Sequence, residues 1–298
     1  MSAPDGPDEP TPEPPASAGA ATPHRGRGLR AQAASMTEGR AAARADELNP
    51  RAREVRTEYV GRFVPLAVGI TSVVIAALLG LILVIRADTL FEIDEEWAED
   101  VFELRGGIGD LFAFGMDALG GGIAGVFVVP ILTALILLAV RRPWAALFFV
   151  VASAASAGVV QLLKNLFGRA RPEDMLVASD FGSFPSGHVA NAATIAVAIG
   201  IIVPKLWVWI VGAIYTILMA ISRTYLGVHW FTDTIGGMLI GAGVALLVWT
   251  LFARRLERER LDRAARIAER NRLRAEAHVT PPARPRETAT SREPASTA

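Results

Sequence analysis

The sequence predicts an all-α integral membrane protein, a bundle of six transmembrane helices with disordered N- and C-terminal tails. Mean hydropathy is +0.36 over 298 residues, and 52% of these residues are hydrophobic, which is unusual for a soluble domain. Six apolar stretches lie between two polar tails, and clusters of arginine and lysine flank them in a regular order. Together these observations favour a helical membrane domain.

The two ends of the chain are predicted to lie outside that domain. Residues 1–59 are interpreted as a disordered, basic cytoplasmic segment, because residues 1 to about 35 are rich in Pro, Ala, Ser, Gly and Thr and lack an apolar period. Residues 279–298 have a similar composition and are interpreted as a disordered tail. The first apolar run begins near Phe63, which is too deep for a cleavable signal peptide, and Met36 is an alternative start.

The membrane domain, residues 60–253, contains stretches long enough to cross a bilayer. The first, from Phe63 to Ile85, exceeds a hydrocarbon core of ~30 Å at ~1.5 Å per residue. The fourth is the shortest and lies between Pro185 and Pro204, so an even number of spans depends on it. The six predicted spans are residues 63–85, 118–140, 143–163, 186–203, 206–226 and 234–253.

Flanking charges predict the orientation of these spans. Basic residues precede span one, separate spans two and three, separate spans four and five, and follow span six, so these places are assigned to the cytoplasm. The loop after span one is acidic, as an outer loop can be. The pattern predicts an integral plasma (cytoplasmic) membrane protein with six spans and both termini in the cytoplasm. Residues 254–278 are interpreted as a charged cytoplasmic helix.

Composition also excludes several classes of function. Thirty Lys and Arg balance 30 Asp and Glu, so a nucleic-acid partner is not expected. Because the chain has no cysteine, it has no disulfide, thiolate nucleophile or cysteine metal site. The oligomeric state stays open.

Three polar blocks interrupt the apolar sequence. The first extends from Lys164 to Pro172, the second is Pro185-Ser186-Gly187-His188, and the third extends from Ser222 to Asp233. The predicted topology places all three blocks on the outer face. Lys and Arg are normally enriched on the cytoplasmic side of membrane proteins, so cations on the outer face need a reason. A shared anionic ligand explains them. These cations are Lys164, Arg169, Arg171 and Arg223.

Phosphate is the anion that fits these blocks best, because its oxygens accept paired hydrogen bonds from arginine guanidinium groups and interact with the point charge of lysine. Ser186 and Gly187 begin a predicted helix, where unpaired N–H groups favour an anion. His229 and Asp233 are spaced i,i+4, so on a helix the carboxylate can fix the imidazole tautomer while the other nitrogen attacks. His188 can then protonate the leaving oxygen.

The blocks resemble the signature of the type 2 phosphatidic acid phosphatase superfamily, K-x6-R-P, then P-S-G-H, then S-R-x5-H-x3-D, in order and spacing. The resemblance extends over roughly residues 60–253, and the segment FEIDEEW after span one looks like the family's interfacial helix. It implies that His229 is a nucleophile that forms a phosphohistidine, that Asp233 orients it, and that His188 is the general acid. Arg169 lies in a variable part of the signature and receives no role. The implied phosphate-binding residues are Lys164, Arg171, Ser186, Gly187 and Arg223.

The resemblance further implies an enzyme without metal or other cofactor, whose partners are membrane lipids and a lipid phosphate substrate. The expected substrates are phosphatidic acid, phosphatidylglycerol phosphate or polyprenyl diphosphate, and the alternative within the superfamily is a lipid phosphotransferase. A metal hydrolase with His188, His229 and Asp233 as ligands is disfavoured, because the converging cations would repel a divalent ion. A non-enzymatic anion transporter is disfavoured because the cations gather at one face rather than at the bilayer midplane.

Overall fold

The computed structural model describes residue 36, residues 50–121 and residues 123–279. Within these ranges every regular element is helical, so the predicted all-α class is confirmed. Contacts divide the chain after Tyr59, and the packing described here lies within the unit Val60–Ala298. The predicted disorder of residues 1 to about 35 and of residues 280–298 lies outside the described residues.

Eight α-helices and one π-helical segment make up the described part of the chain. Most connections between them are short, and the longest joins Phe167 to Gly187. The helices are α1 (Pro50–Ile85), α2 (Ala87–Glu103), α3 (Gly107–Gly120), the π-helical segment (Ala124–Val128), α4 (Val129–Ala139), α5 (Pro143–Phe167), α6 (Gly187–Ile202), α7 (Leu206–Tyr225) and α8 (Phe231–Val279).

Four described helices are long and apolar enough to cross a membrane, and a fifth span results if α3 and the helix after it are counted as one bent span. The remaining candidate is α6, which is apolar but has only 16 residues. A count of six therefore depends on α6 and stays a prediction. The four long segments are Phe63–Ile85, Pro143–Phe167, Leu206–Tyr225 and Phe231–Glu276.

The predicted second span, residues 118–140, is not one straight helix. Helix α3 ends at Gly120, and the helix that resumes at Ala124 is bent by 45° from it. Glycine at positions 120 and 121 has low helix propensity. Pro130 removes a backbone donor at the start of α4, directly after the π-helical segment. Both features interrupt the continuous helix that the hydropathy pattern predicts for residues 118–140.

Two predicted domain boundaries differ from the helix boundaries. Helix α1 begins at Pro50, inside the segment 1–59 that the composition predicts to be disordered. Proline suits a first helical turn, and the Arg and Glu residues that follow are good helix formers. Helix α8 continues without a break from Phe231 to Val279 and crosses the predicted boundary at residue 253.

Helix α6 lies at the centre of the bundle, where it packs against α5, α7 and α8. Its side chains at this interface are small, and Thr194 donates a hydrogen bond of 2.8 Å to Ser156 of α5. Small and hydroxyl residues allow close helix approach where lipid replaces water. The surrounding core contains Phe148, Phe149 and Ile240. This packing holds the N-terminus of α6 next to the ends of α5 and α7.

Candidate active site

A cavity of about 540 Å³ lies where α3, α5, α6 and α7 meet. Five of the predicted site residues line it: Lys164, Gly187, His188, Arg223 and His229. The rest of its wall is largely apolar and includes Val126, Ala157, Val160 and Ala190. Polar groups thus gather at one part of a pocket that continues between membrane helices.

His229 lies in the loop between α7 and α8, where Gly227 has a φ of 67° that favours glycine. Its Nδ1 is 3.5 Å from Oδ2 of Asp233, and its Nε2 is 3.4 Å from Nη1 of Arg171. The i,i+4 spacing therefore acts across a turn and the first turn of α8, not along one helix. The Nδ1 atom faces a carboxylate, and the Nε2 atom faces a phosphate-binding candidate.

The environment of His229 favours the neutral imidazole. Burial lowers the pKa of His229 to about 4; Asp233 acts in the opposite direction, and the charges of Arg171 and Lys164 lower it further. The ring is therefore unprotonated on one nitrogen at neutral pH, as a nucleophile requires.

Lys164 and Arg171 converge on the loop between α5 and α6. Lys164 donates to Oδ1 of Asp180 at 3.0 Å, and Nη2 of Arg171 donates to the same oxygen at 2.6 Å. Both cations also donate to the backbone carbonyl of Gly182. Burial alone would raise the pKa of Asp180, but the hydrogen bond and charge of Lys164, with the charge of Arg171, hold it below its usual range. Asp180 thus balances two cations.

Arg223 and His188 share a second carboxylate. Nη1 of Arg223 donates to Oδ1 of Asp117 at 2.6 Å, and Nε2 of His188 lies 3.3 Å from the same oxygen. Arg223 is 1% exposed, and among the described residues its Nη2 has no hydrogen-bond partner. This buried donor is available to a ligand oxygen.

Ser186 and Gly187 begin α6. Ser186 is fully buried, and within the described part of the chain its Oγ has no hydrogen-bond partner. A side chain added at Gly187 would meet only Val160, at 3.7 Å, so it would occupy the cavity rather than displace a neighbour. The predicted anion-binding helix start therefore faces an open space.

Gly121 fixes the position of His188. A Cβ atom at residue 121 would overlap the imidazole of His188, so this side chain has to move when glycine is replaced. We expect Gly121→Ala to lower catalytic efficiency by about 10²-fold, because ~1 Å of misplacement can cost that much. Steady-state kinetics would measure it. Gly158→Ala is the control, because residue 158 is exposed and a Cβ atom added there would meet no described atom of another part of the chain within 4 Å. This variant should keep normal activity. Equal kinetics of both variants would contradict this role of Gly121.

Four charged residues near the site were not assigned from the sequence. Asp117 and Asp180 hold the phosphate-binding candidates, while Asp94 and Arg169 form ion pairs beneath His229. The only sequence signal for Arg169 is that it breaks the charge bias at the outer face. Asp94 is one of several acidic residues in its segment, and no motif distinguishes it.

Comparisons with known proteins test the predicted family resemblance. A family profile described as the PAP2 superfamily matches residues 145–257. An undecaprenyl-diphosphatase of Sulfolobus acidocaldarius is 45% identical over 65 residues, which are 22% of this chain and 31% of that protein. The phosphatidylglycerophosphatase B of Bacillus subtilis is 33% identical over 118 residues, which are 36% of this chain and 58% of that protein. The chain thus spans less than two thirds of the length of these relatives.

A solved structure extends the comparison to the fold. The crystal structure of a transmembrane PAP2 type phosphatidylglycerolphosphate phosphatase from Bacillus subtilis superposes with a TM-score of 0.55 and 25% identity. The superposition covers 60% of this chain and 93% of that one. The resemblance predicted from the three polar blocks is confirmed, because residues 145–257 of this chain match the profile of a PAP2 superfamily domain.

Proposed function

We propose that this protein is a membrane lipid phosphatase that acts through a phosphohistidine on His229. The observation that carries the proposal is one cavity lined by two cations, Lys164 and Arg223, and by two histidines. A third cation, Arg171, lies 3.4 Å from Nε2 of His229. Three cations suit a phosphoryl group, and the neutral His229 suits attack on phosphorus. The names of the relatives, which are phosphatases of lipid substrates, support the same activity.

The proposed reaction has two steps. In the first, Nε2 of His229 forms a bond to phosphorus while the bond to the leaving oxygen breaks, and His188 donates a proton to that oxygen. In the second, His188 takes a proton from water, whose oxygen attacks phosphorus and releases His229 and inorganic phosphate. Lys164, Arg171 and Arg223 stabilise the charge on the phosphoryl oxygens, and Ser186 with Gly187 completes the cradle. Asp233 keeps the proton of His229 on Nδ1.

The substrate class follows from the walls of the cavity. Its apolar side is formed by helices that are candidates for membrane spans, so an acyl or prenyl chain can remain in contact with the bilayer while the phosphate reaches the cations. We propose a lipid phosphate or diphosphate, such as phosphatidic acid, phosphatidylglycerol phosphate or polyprenyl diphosphate.

Phosphate release from purified protein in mixed micelles tests this function. Each of the three lipid classes is compared with a water-soluble phosphomonoester. We expect kcat/KM to be higher for at least one of the lipids than for the soluble compound. Activity should persist in EDTA, because the cradle neutralises phosphate without a divalent ion. Preference for the soluble compound would contradict the lipid assignment, and loss of activity in EDTA with rescue by metal would favour a metal hydrolase. Phosphate transferred to an added lipid acceptor would favour the phosphotransferase alternative.

We also propose six spans, both termini in the cytoplasm and the site at the outer face of the plasma membrane. The absence of native cysteine makes labelling a direct test. Ala178 and Ala264 are both exposed, so single cysteines there should be accessible to a maleimide. We expect Ala178→Cys to react with an impermeant maleimide on intact cells, and Ala264→Cys to react only after permeabilisation. The reverse pattern would contradict the orientation.

A further inference from the structure

One carboxylate of helix α2 is buried next to the turn that carries Asp233, the partner of the candidate nucleophile. Asp94 is fully buried, whereas the neighbouring Glu92, Glu95 and Glu96 are exposed. Its Oδ1 accepts the backbone N–H of Thr232 at 2.9 Å, and its Oδ2 accepts the hydroxyl of Thr232 at 2.7 Å. Asp94 therefore contacts the first turn of α8, next to Asp233.

Arg169 connects this carboxylate to Asp233. Helix α5 ends at Phe167, the left-handed conformation of Gly168 directs the chain out of the helix, and Arg169 follows. The Nη2 atom of Arg169 is 2.6 Å from Oδ2 of Asp94, and its Nη1 atom is 2.6 Å from Oδ1 of Asp233. Nη1 also donates to Oγ1 of Thr232 at 2.8 Å. A buried guanidinium thus lies between two buried carboxylates.

These contacts leave one oxygen of Asp233 for His229. Oδ1 is held by Arg169, whereas Oδ2 accepts the backbone N–H of Trp230 at 2.9 Å and faces Nδ1 of His229. Rotation of the carboxylate would break both sets of contacts. The orientation of Asp233, and with it the tautomer of His229, is therefore fixed from both sides.

Charge balance gives Asp94 a distinct role. Arg169 alone would offset part of the field of Asp233, and the negative neighbour that stabilises positive charge on the ring of His229 during attack would be weakened. With Asp94 included, the three groups of this network, two carboxylates and one guanidinium, carry one net negative charge on the Nδ1 side of His229. Loss of Asp94 should therefore weaken the effect of Asp233 even though Asp233 itself is unchanged.

We propose that Asp94 and Arg169 are positioning residues that hold Asp233 and preserve its charge for His229. Through them the docking of α2, which also packs Trp97 on Phe231 with ring centroids 4.9 Å apart, sets the geometry of the nucleophile. This inference rests on the proposed function. It assigns a role to an ion-pair network that the three motifs do not include.

Kinetics of Asp94→Asn, of Arg169→Gln and of the double variant test the proposal. We expect Asp94→Asn to lower kcat by about 10-fold to 100-fold with little change in KM, because the phosphate cradle is intact. The double variant should recover part of this loss, since the uncompensated cation is then removed. A network that only anchors α2 predicts a double variant no better than Asp94→Asn. Asp100→Asn removes an exposed carboxylate from the same helix and should behave as wild type.

A measurement that needs no substrate separates this inference from the proposed function. With only four histidines in the chain, ¹⁵N spectra of histidine-labelled protein in vesicles can be assigned by substitution. We expect neutral His229 to carry its proton on Nδ1 in the wild type and to populate the Nε2–H tautomer in Asp94→Asn. An unchanged tautomer, or kinetics of Asp94→Asn equal to those of Asp100→Asn in an active enzyme, would overturn the inference. Wild-type protein without phosphatase activity would overturn the proposed function, while the spectra would still decide the role of Asp94.

Discussion

Replacing His229 with alanine should abolish turnover, with a loss of about 10⁴-fold or more in kcat, because the proposed covalent intermediate forms on this side chain. The Nε2 atom of His229 lies beside Arg171 and at the cavity, where phosphorus would be held. Phosphate release measures the loss of turnover. Incubation with labelled substrate followed by an alkaline quench, under which phosphohistidine survives, measures the loss of the intermediate.

His278→Ala is the matched control, because it removes an imidazole near the end of α8, far along the chain from the site. It should retain both activity and labelling. Near-normal activity of a folded His229→Ala protein would refute the assignment of the nucleophile.

The low pKa of His229 also predicts how the nucleophile responds to acid. Because burial lowers this pKa to about 4, His229 should stay neutral down to about pH 5 and protonate only below that.

Replacing His188 with alanine should produce the second-largest effect, about 10² to 10⁴-fold on a lipid substrate, because a general acid typically contributes that much. The loss should be smaller with p-nitrophenyl phosphate, whose leaving oxygen needs little protonation. Asp117 beside His188 and the close approach of Gly121 hold the ring at the cavity. The measured quantity is the ratio of kcat/KM between wild type and variant for each leaving group.

The dependence on leaving group distinguishes acid catalysis from a role in folding or phosphate binding. A variant that has lost structure, or that binds phosphate less tightly, loses activity equally on both substrates. Equal losses for the lipid and for p-nitrophenyl phosphate would therefore contradict the role of His188 as general acid. Labelling of His229 by the activated substrate should persist in His188→Ala, since the nucleophile is unchanged.

The sequence alone predicted the fold class and the family resemblance. Hydropathy predicts helices because a lipid environment leaves few ways to satisfy the backbone, and the all-α prediction is confirmed. The three polar blocks predicted the superfamily, since Lys164, His188 and His229 keep the spacing of its signature and the family profile covers all three. Such information is local, so it can be recognised without a structure.

Tertiary structure decided what lies around those blocks. Asp94 and Thr232 are hydrogen-bonded across 138 positions of sequence, and Arg223 and Asp117 across 106. Hydropathy treats the acidic residues of α2 alike, and only packing selects Asp94 for the interior. The sequence thus predicted which residues carry the chemistry, whereas long-range packing decided which charges surround them, because burial and pairing are properties of neighbours in space.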